Sequence, residues 1–128
     1  MTSLKPKEVI VTQAMVNQYA DLSGDHNPLH LDEEFAKTTP YGTRIAHGML
    51  LVATTAEMLT SNFGVTDWSV SGRLTATFIA PTPVGSTLLV QGEITNQAAD
   101  GTTEFEVTGI INNDKQVLKA SGSVVSNC

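Results

Sequence analysis

The chain is 128 residues long, 41% hydrophobic, and carries a formal net charge of −6. That length suits a single domain over residues 1–128 with a core of its own, and the composition excludes both a disordered chain and a membrane-embedded one. The acidic balance argues against nucleic-acid binding, because phosphate neutralisation needs clustered Lys and Arg, although net charge does not exclude a local basic patch, for which Lys37, Arg44 and Arg73 are the candidates.

The longest apolar run, Met49 to Ala53, is far too short to span a bilayer. Lys5 and Lys7 are followed by no apolar stretch of the signal-peptide kind. Cys128, the only cysteine, is the last residue, so no internal disulfide is expected. The expected compartment is the cytoplasm, with neither membrane nor nucleic acid as a partner.

Residues 8–12 (Glu-Val-Ile-Val-Thr) read as a short β-branched strand. From Thr12 to Leu22, the positions Met15, Val16, Tyr19, Ala20 and Leu22 follow helical spacing, with Thr12 as N-cap. The helix stops at Ser23-Gly24, since glycine adopts the left-handed conformation without a Cβ penalty. Pro28 fixes its own φ and pushes Asn27 toward extended geometry, so the segment up to His30 reads as a loop. Asp32 is the expected N-cap of a short helix with Glu33 and Glu34 in its first turn, ending before Thr39-Pro40.

His47 to Leu59 is the longest helical candidate, apolar on nearly every face, with Glu57 its only charge. Such a helix is expected to be buried. Beyond Gly64 the apolar period becomes two, and the candidate strands are 67–79, 86–97, 103–112 and 116–126. Asp100-Gly101 and Asn113-Asp114 are hairpin signals, so consecutive strands are expected to be antiparallel. One long buried helix with about five strands predicts an α+β fold in which the sheet curls around the helix. A single sheet cannot cover both sides of that helix, which predicts a homodimer.

Chemistry concentrates in two clusters. Asp25 and His30 are five residues apart with a turn between them, so they can converge on one small volume. A carboxylate beside an imidazole suits proton transfer near neutral pH, although Asp25 as a turn cap and His30 as a polar core residue fit equally from residue types alone. The second cluster, Ile45-Ala46-His47-Gly48-Met49, puts a glycine at the start of the buried helix. Free N–H groups and the helix dipole there favour developing negative charge, as in an oxyanion site; simple capping with tight packing is the competing account. His26 and His30, with Asp25, Asp32 and His47 nearby, could instead ligate a metal. Pro28 between the two histidines disfavours the helix such a spacing needs, so no metal is expected. No nucleophile stands out: Ser23 lacks a G-x-S-x-G context, and Thr54 and Thr55 are expected to bond backbone carbonyls.

The run Tyr19-Ala20-x-x-Ser23-Gly24-Asp25-x-Asn27-Pro28-Leu29-His30-x-Asp32, followed by Ala46-His47-Gly48-Met49 and Phe78-x-x-Pro81-x-x-x-Gly85, resembles the MaoC-like (R)-specific enoyl-CoA hydratases and the related (3R)-hydroxyacyl-thioester dehydratase subunits. The resemblance implies a hot-dog fold, a long central helix wrapped by an antiparallel sheet, acting as a dimer. It implies that Asp25 and His30 hold and polarise a water that adds to a trans-2-enoyl thioester, giving the (3R)-hydroxyacyl product. It also implies that the Gly48 N–H binds the thioester carbonyl, with Asn27 and His47 completing the oxyanion and substrate-binding set. No cofactor is implied; coenzyme A or acyl carrier protein enters only as the substrate's carrier.

Members often carry a serine inside the central helix where this chain has Ala56. Two rival readings keep the same pocket. A hot-dog thioesterase would use a carboxylate on the central helix, for which Glu57 is the candidate, and a binding module would hold acyl thioesters without turnover.

Overall fold

The computed structural model describes residues 2–126; Cys128 lies outside them. The elements in chain order are β1 (Lys7–Ile10), α1 (Gln13–Ser23), α2 (Pro28–Leu31), α3 (Glu33–Lys37), α4 (Gly48–Phe63), α5 (Val65–Ser71), β2 (Arg73–Phe78), β3 (Thr87–Gln97), β4 (Thr102–Ile111) and β5 (Lys115–Val125). The strands form one sheet in the order β1-β3-β4-β5-β2, every neighbouring pair antiparallel.

Turn chemistry sets this order locally. Asn112 and Asn113 take φ of 54° and 59°, the left-handed pair that a tight hairpin with native strand twist requires. Along β4, buried Thr103, Phe105, Val107 and Ile111 alternate with exposed Glu104 and Glu106, so one face of the sheet is apolar. Onto that face packs α4, whose buried residues Leu51, Thr54, Thr55, Met58 and Leu59 recur at helical spacing. They join Val16, Leu88, Val90, Phe105, Val107 and Leu118 in the core. Thr54 and Thr55 satisfy their hydroxyls on the carbonyls of Leu50 and Leu51, at 3.0 and 2.9 Å. Among the described residues, no helix is long and apolar enough to cross a membrane.

Three local expectations need correction. The segment up to His30 is not a loop throughout: Pro28 occupies the first position of the single turn α2, where its missing N–H costs nothing. The expected strand 67–79 is helical over its first part, as α5, and extended only from Arg73. Trp68 donates its N–H to the Gly64 carbonyl at 3.1 Å and lays its ring 6.0 Å from that of Phe105. Ser71 then ties the end of α5 to β5 by accepting the Val125 N–H at 2.9 Å. The long helix is also not buried all round within one chain: Met49 is 55% exposed, and Ala53 and Glu57 are exposed on the same side.

Candidate active site

The site begins where α1 ends. Gly24, at φ 80°, donates its N–H to Ala20 at 2.9 Å and turns the chain out of the helix. Asn27 stands extended at ψ 126° and accepts the Leu29 N–H on its side-chain oxygen at 3.0 Å, capping α2. Asp32 caps α3 by accepting from Glu34 and Phe35. This run of caps rigidly places His30, 9% exposed, on α2.

His30 Nδ1 lies 2.7 Å from the carbonyl oxygen of Ile45. A carbonyl only accepts, so Nδ1 carries the hydrogen and Nε2 is left as the free, basic nitrogen. Nε2 faces Asp25 Oδ2 at 4.0 Å, too far for a direct hydrogen bond and suited to a shared water. The other carboxylate oxygen of Asp25 accepts the Asn27 N–H at 3.2 Å. Asp25 is half exposed, with its side chain 54% accessible.

His47 precedes α4 as its N-cap and makes no side-chain capping bond. Its Nε2 instead lies 3.0 Å from the backbone oxygen of Asp25, which again assigns the hydrogen to that nitrogen. The ring is stacked on His30 at 3.8 Å and 26°, and lies 4.8 Å from the ring of Tyr19. It is 3% exposed, and its Nδ1 finds no partner among the described residues, at a cost of about 1–3 kcal/mol for a buried acceptor. Behind it, the N–H groups of Gly48 and Met49 have no protein acceptor among the described hydrogen bonds, as expected of a helix start.

Tyr19, Ser23, Asp25, His30, His47 and Gly48 line one cavity of about 290 Å³. Gly48 also lines a second recess of about 290 Å³ with Tyr41, Leu51, Phe78, Ile79 and Pro81. The Phe78 ring covers Gly48 so closely that a Cβ there would come within 2.9 Å of Cζ. Tyr19 and Ser23 as lining residues, and Phe78 as the lid over Gly48, escape a reading by residue type. The i, i+4 spacing of Tyr19 and Ser23 at the end of α1 was the available signal.

The other sequence candidates separate. Asp25, His30 and His47 offer ligand atoms within 4.8 Å of one another and are the residues that could hold a cation. His26 turns away, bonded to Asp21 at 3.1 Å, and that carboxylate, with help from the Gly24 backbone, raises its pKa above the usual histidine value. Asp32 is engaged in capping. Asn27 uses its side-chain oxygen on the loop itself, and Ala56 is half-buried on α4. Glu57 bonds Lys7 at 2.9 Å on the outer face of α4.

A five-stranded antiparallel sheet packed on one long helix, with a pocket holding Asp25, His30 and His47 at the helix start, defines a hot-dog domain. The chain belongs to the MaoC like domain family, whose profile matches residues 1–116. A 3-hydroxybutyryl-CoA dehydratase of Methylorubrum extorquens is 35% identical over 97 residues, which covers 73% of this chain and 58% of the relative. The 3-hydroxyacyl-thioester dehydratase Z of Mycobacterium tuberculosis is 38% identical over 81 residues, 61% of this chain and 54% of that protein. The match thus spans little more than half the length of these curated relatives. Among solved structures, an (R)-hydratase from A. caviae superposes with a TM-score of 0.87 at 24% identity, over 98% of this chain and 95% of that one; at that identity the likeness shows the fold.

Proposed function

We propose that this chain is a hydro-lyase that adds water across the double bond of a trans-2-enoyl thioester to give the (3R)-hydroxyacyl thioester, and that it catalyses the reverse dehydration. One observation carries the reading above the rest. Asp25 Oδ2 and His30 Nε2 stand 4.0 Å apart on the wall of a cavity that also contains Gly48 at a helix start. A water held between carboxylate and imidazole loses a proton to Asp25 as its oxygen bonds to C3. The thioester oxygen gains negative charge, which the Gly48 N–H and the α4 dipole stabilise. The proton returns to C2 through the Asp25–His30 pair, so the elements of water are fully accounted for. The step is redox-neutral and calls for no cofactor. The relatives named above, one a CoA dehydratase and one a thioester dehydratase, support the same chemistry.

In this reading residues 1–128 act as one cytoplasmic domain, a homodimer whose partner covers the apolar side chains around Gly48. Met49, Phe78 and Ile79, exposed by 55%, 49% and 51%, are the support for that assembly. The thioesterase reading loses ground because Glu57, 60% exposed, is engaged by Lys7 rather than turned toward the cavity.

The test is to follow loss of enoyl absorbance and release of free thiol together, on enoyl thioesters of graded length carried by coenzyme A or acyl carrier protein. Loss of absorbance without thiol, with a product of 3R configuration, is the expected outcome. Thiol release would establish hydrolysis instead. Binding without turnover across short, long and branched substrates would establish a binding module.

A further inference from the structure

His47 stands at the junction of everything the proposed reaction uses. It is joined covalently to Gly48, hydrogen-bonded through Nε2 to the backbone of Asp25 at 3.0 Å, and stacked on the His30 ring at 3.8 Å. The hydrogen bond spans 22 residues of sequence, so it is the direct link between the loop bearing the base and the start of α4. Next to it, α2 is fastened to the residues leading into α4 by the His30–Ile45 bond at 2.7 Å and the Ile45 N–H to the Leu29 carbonyl at 3.4 Å, whereas the remaining bonds of residues 24–27 are local turn bonds. At the same time His47 is buried, and its Nδ1 has no partner among the described residues. A fold that retains a buried, half-satisfied imidazole at this point is using the satisfied half.

We propose that His47 is a positioning residue: its Nε2–H and its flat face set the spacing between the Asp25–His30 pair and the Gly48 N–H. It touches neither water nor thioester in this role, and acts through Asp25 and His30. The inference rests on the hydratase reading and goes beyond it. It replaces a substrate-binding role for His47, which the sequence suggested, with a mechanical one.

Two substitutions separate the hydrogen bond from the ring. His47→Gln keeps an N–H donor of similar reach and loses the aromatic face; His47→Phe keeps the face and loses the donor. Misplacement of a reacting group by about an ångström can cost on the order of a hundredfold in rate. The expected result is a fall in kcat of about tenfold to a hundredfold for His47→Phe with KM changed by less than about threefold, as for an interaction expressed only in the transition state. His47→Gln should hold kcat within about tenfold of the parent. Amide hydrogen exchange over residues 24–27 should quicken in His47→Phe and stay near the parent rate in His47→Gln.

A folded His47→Phe chain with parental kcat, or a rise in KM that accounts for its whole loss, overturns the proposal. Unchanged exchange over residues 24–27 does the same. If His47→Phe fails to fold, His47→Gln decides alone: a kcat loss beyond about tenfold in a folded chain refutes the donor's role, and a loss within about tenfold with parental exchange over residues 24–27 upholds it. An inactive parent chain would instead mark the failure of the hydratase reading.

Discussion

Asp25 presents one carboxylate oxygen to His30 because the other already accepts the Asn27 N–H, and His30 answers with Nε2 because Ile45 holds Nδ1. Each group is therefore pre-set by a bond on its far side, so little reorganisation is left for the moment of reaction. Asp25→Asn keeps the shape and removes the proposed base, and His30→Ala removes its proposed partner. Either is expected to lower hydration by at least about a hundredfold in a folded chain. The double variant should lose little more than the worse single, since in the proposed reaction both act on one water; additive losses would show two separate roles. Gly48 is constrained by space as well as by its N–H, because a methyl group there meets the Phe78 ring at 2.9 Å. That ring ends a half-exposed side chain and can swing aside, so Gly48→Ala should fold. It is expected to lose about a hundredfold in turnover, the scale of one oxyanion donor. Adding Phe78→Ala relieves the clash but leaves the methyl group beside the N–H, so the pair should stay slow; recovery to parental rate would trace the loss to the displaced ring.

At the scale of elements, α4 carries two duties on two ends and faces. Its start supplies N–H groups to the cavity, and its inner face supplies the core. Leu59 is 0% exposed within that core, and Leu59→Ala is expected to cost about 2–5 kcal/mol by lost transfer energy plus the cavity left behind, read by chemical denaturation. The Lys7–Glu57 bond on the outer face is exposed at both ends, 40% and 60%, so its removal should cost at most about 1 kcal/mol. If the second change proved the larger, the division of α4 into a core face and an outer face would be mistaken.

For the whole molecule, the apolar surface around the site is the support for the proposed homodimer. Tyr41, Met49, Phe78 and Ile79 are 48%, 55%, 49% and 51% exposed, and all but Met49 line the recess beside Gly48. A contiguous apolar area next to a pocket marks an interaction surface, and β2, an edge strand, adds unpaired backbone groups beside it. Light scattering at micromolar concentration is expected to give the mass of two chains. A mass of one chain would leave this surface to the substrate alone.

What the sequence determined by itself was decided within a few residues. The stop at Gly24, the Asp32 cap, the turn at 112–114 and the alternation along β4 each follow from φ preferences, side-chain caps or a period of two. Periodicity gave an α+β fold with a sheet around a long helix; the hot-dog arrangement was what the family resemblance implied. Tertiary structure alone decided the rest, because it depends on partners far along the chain. Val65–Ser71 is helical because Trp68 is drawn to Phe105 and Ser71 to Val125. Phe78 lies over Gly48 because β2 ends beside the start of α4. His47 turns back to Asp25 across 22 residues, a bond that no local propensity encodes because its energy exists only once the loop and the helix are brought together.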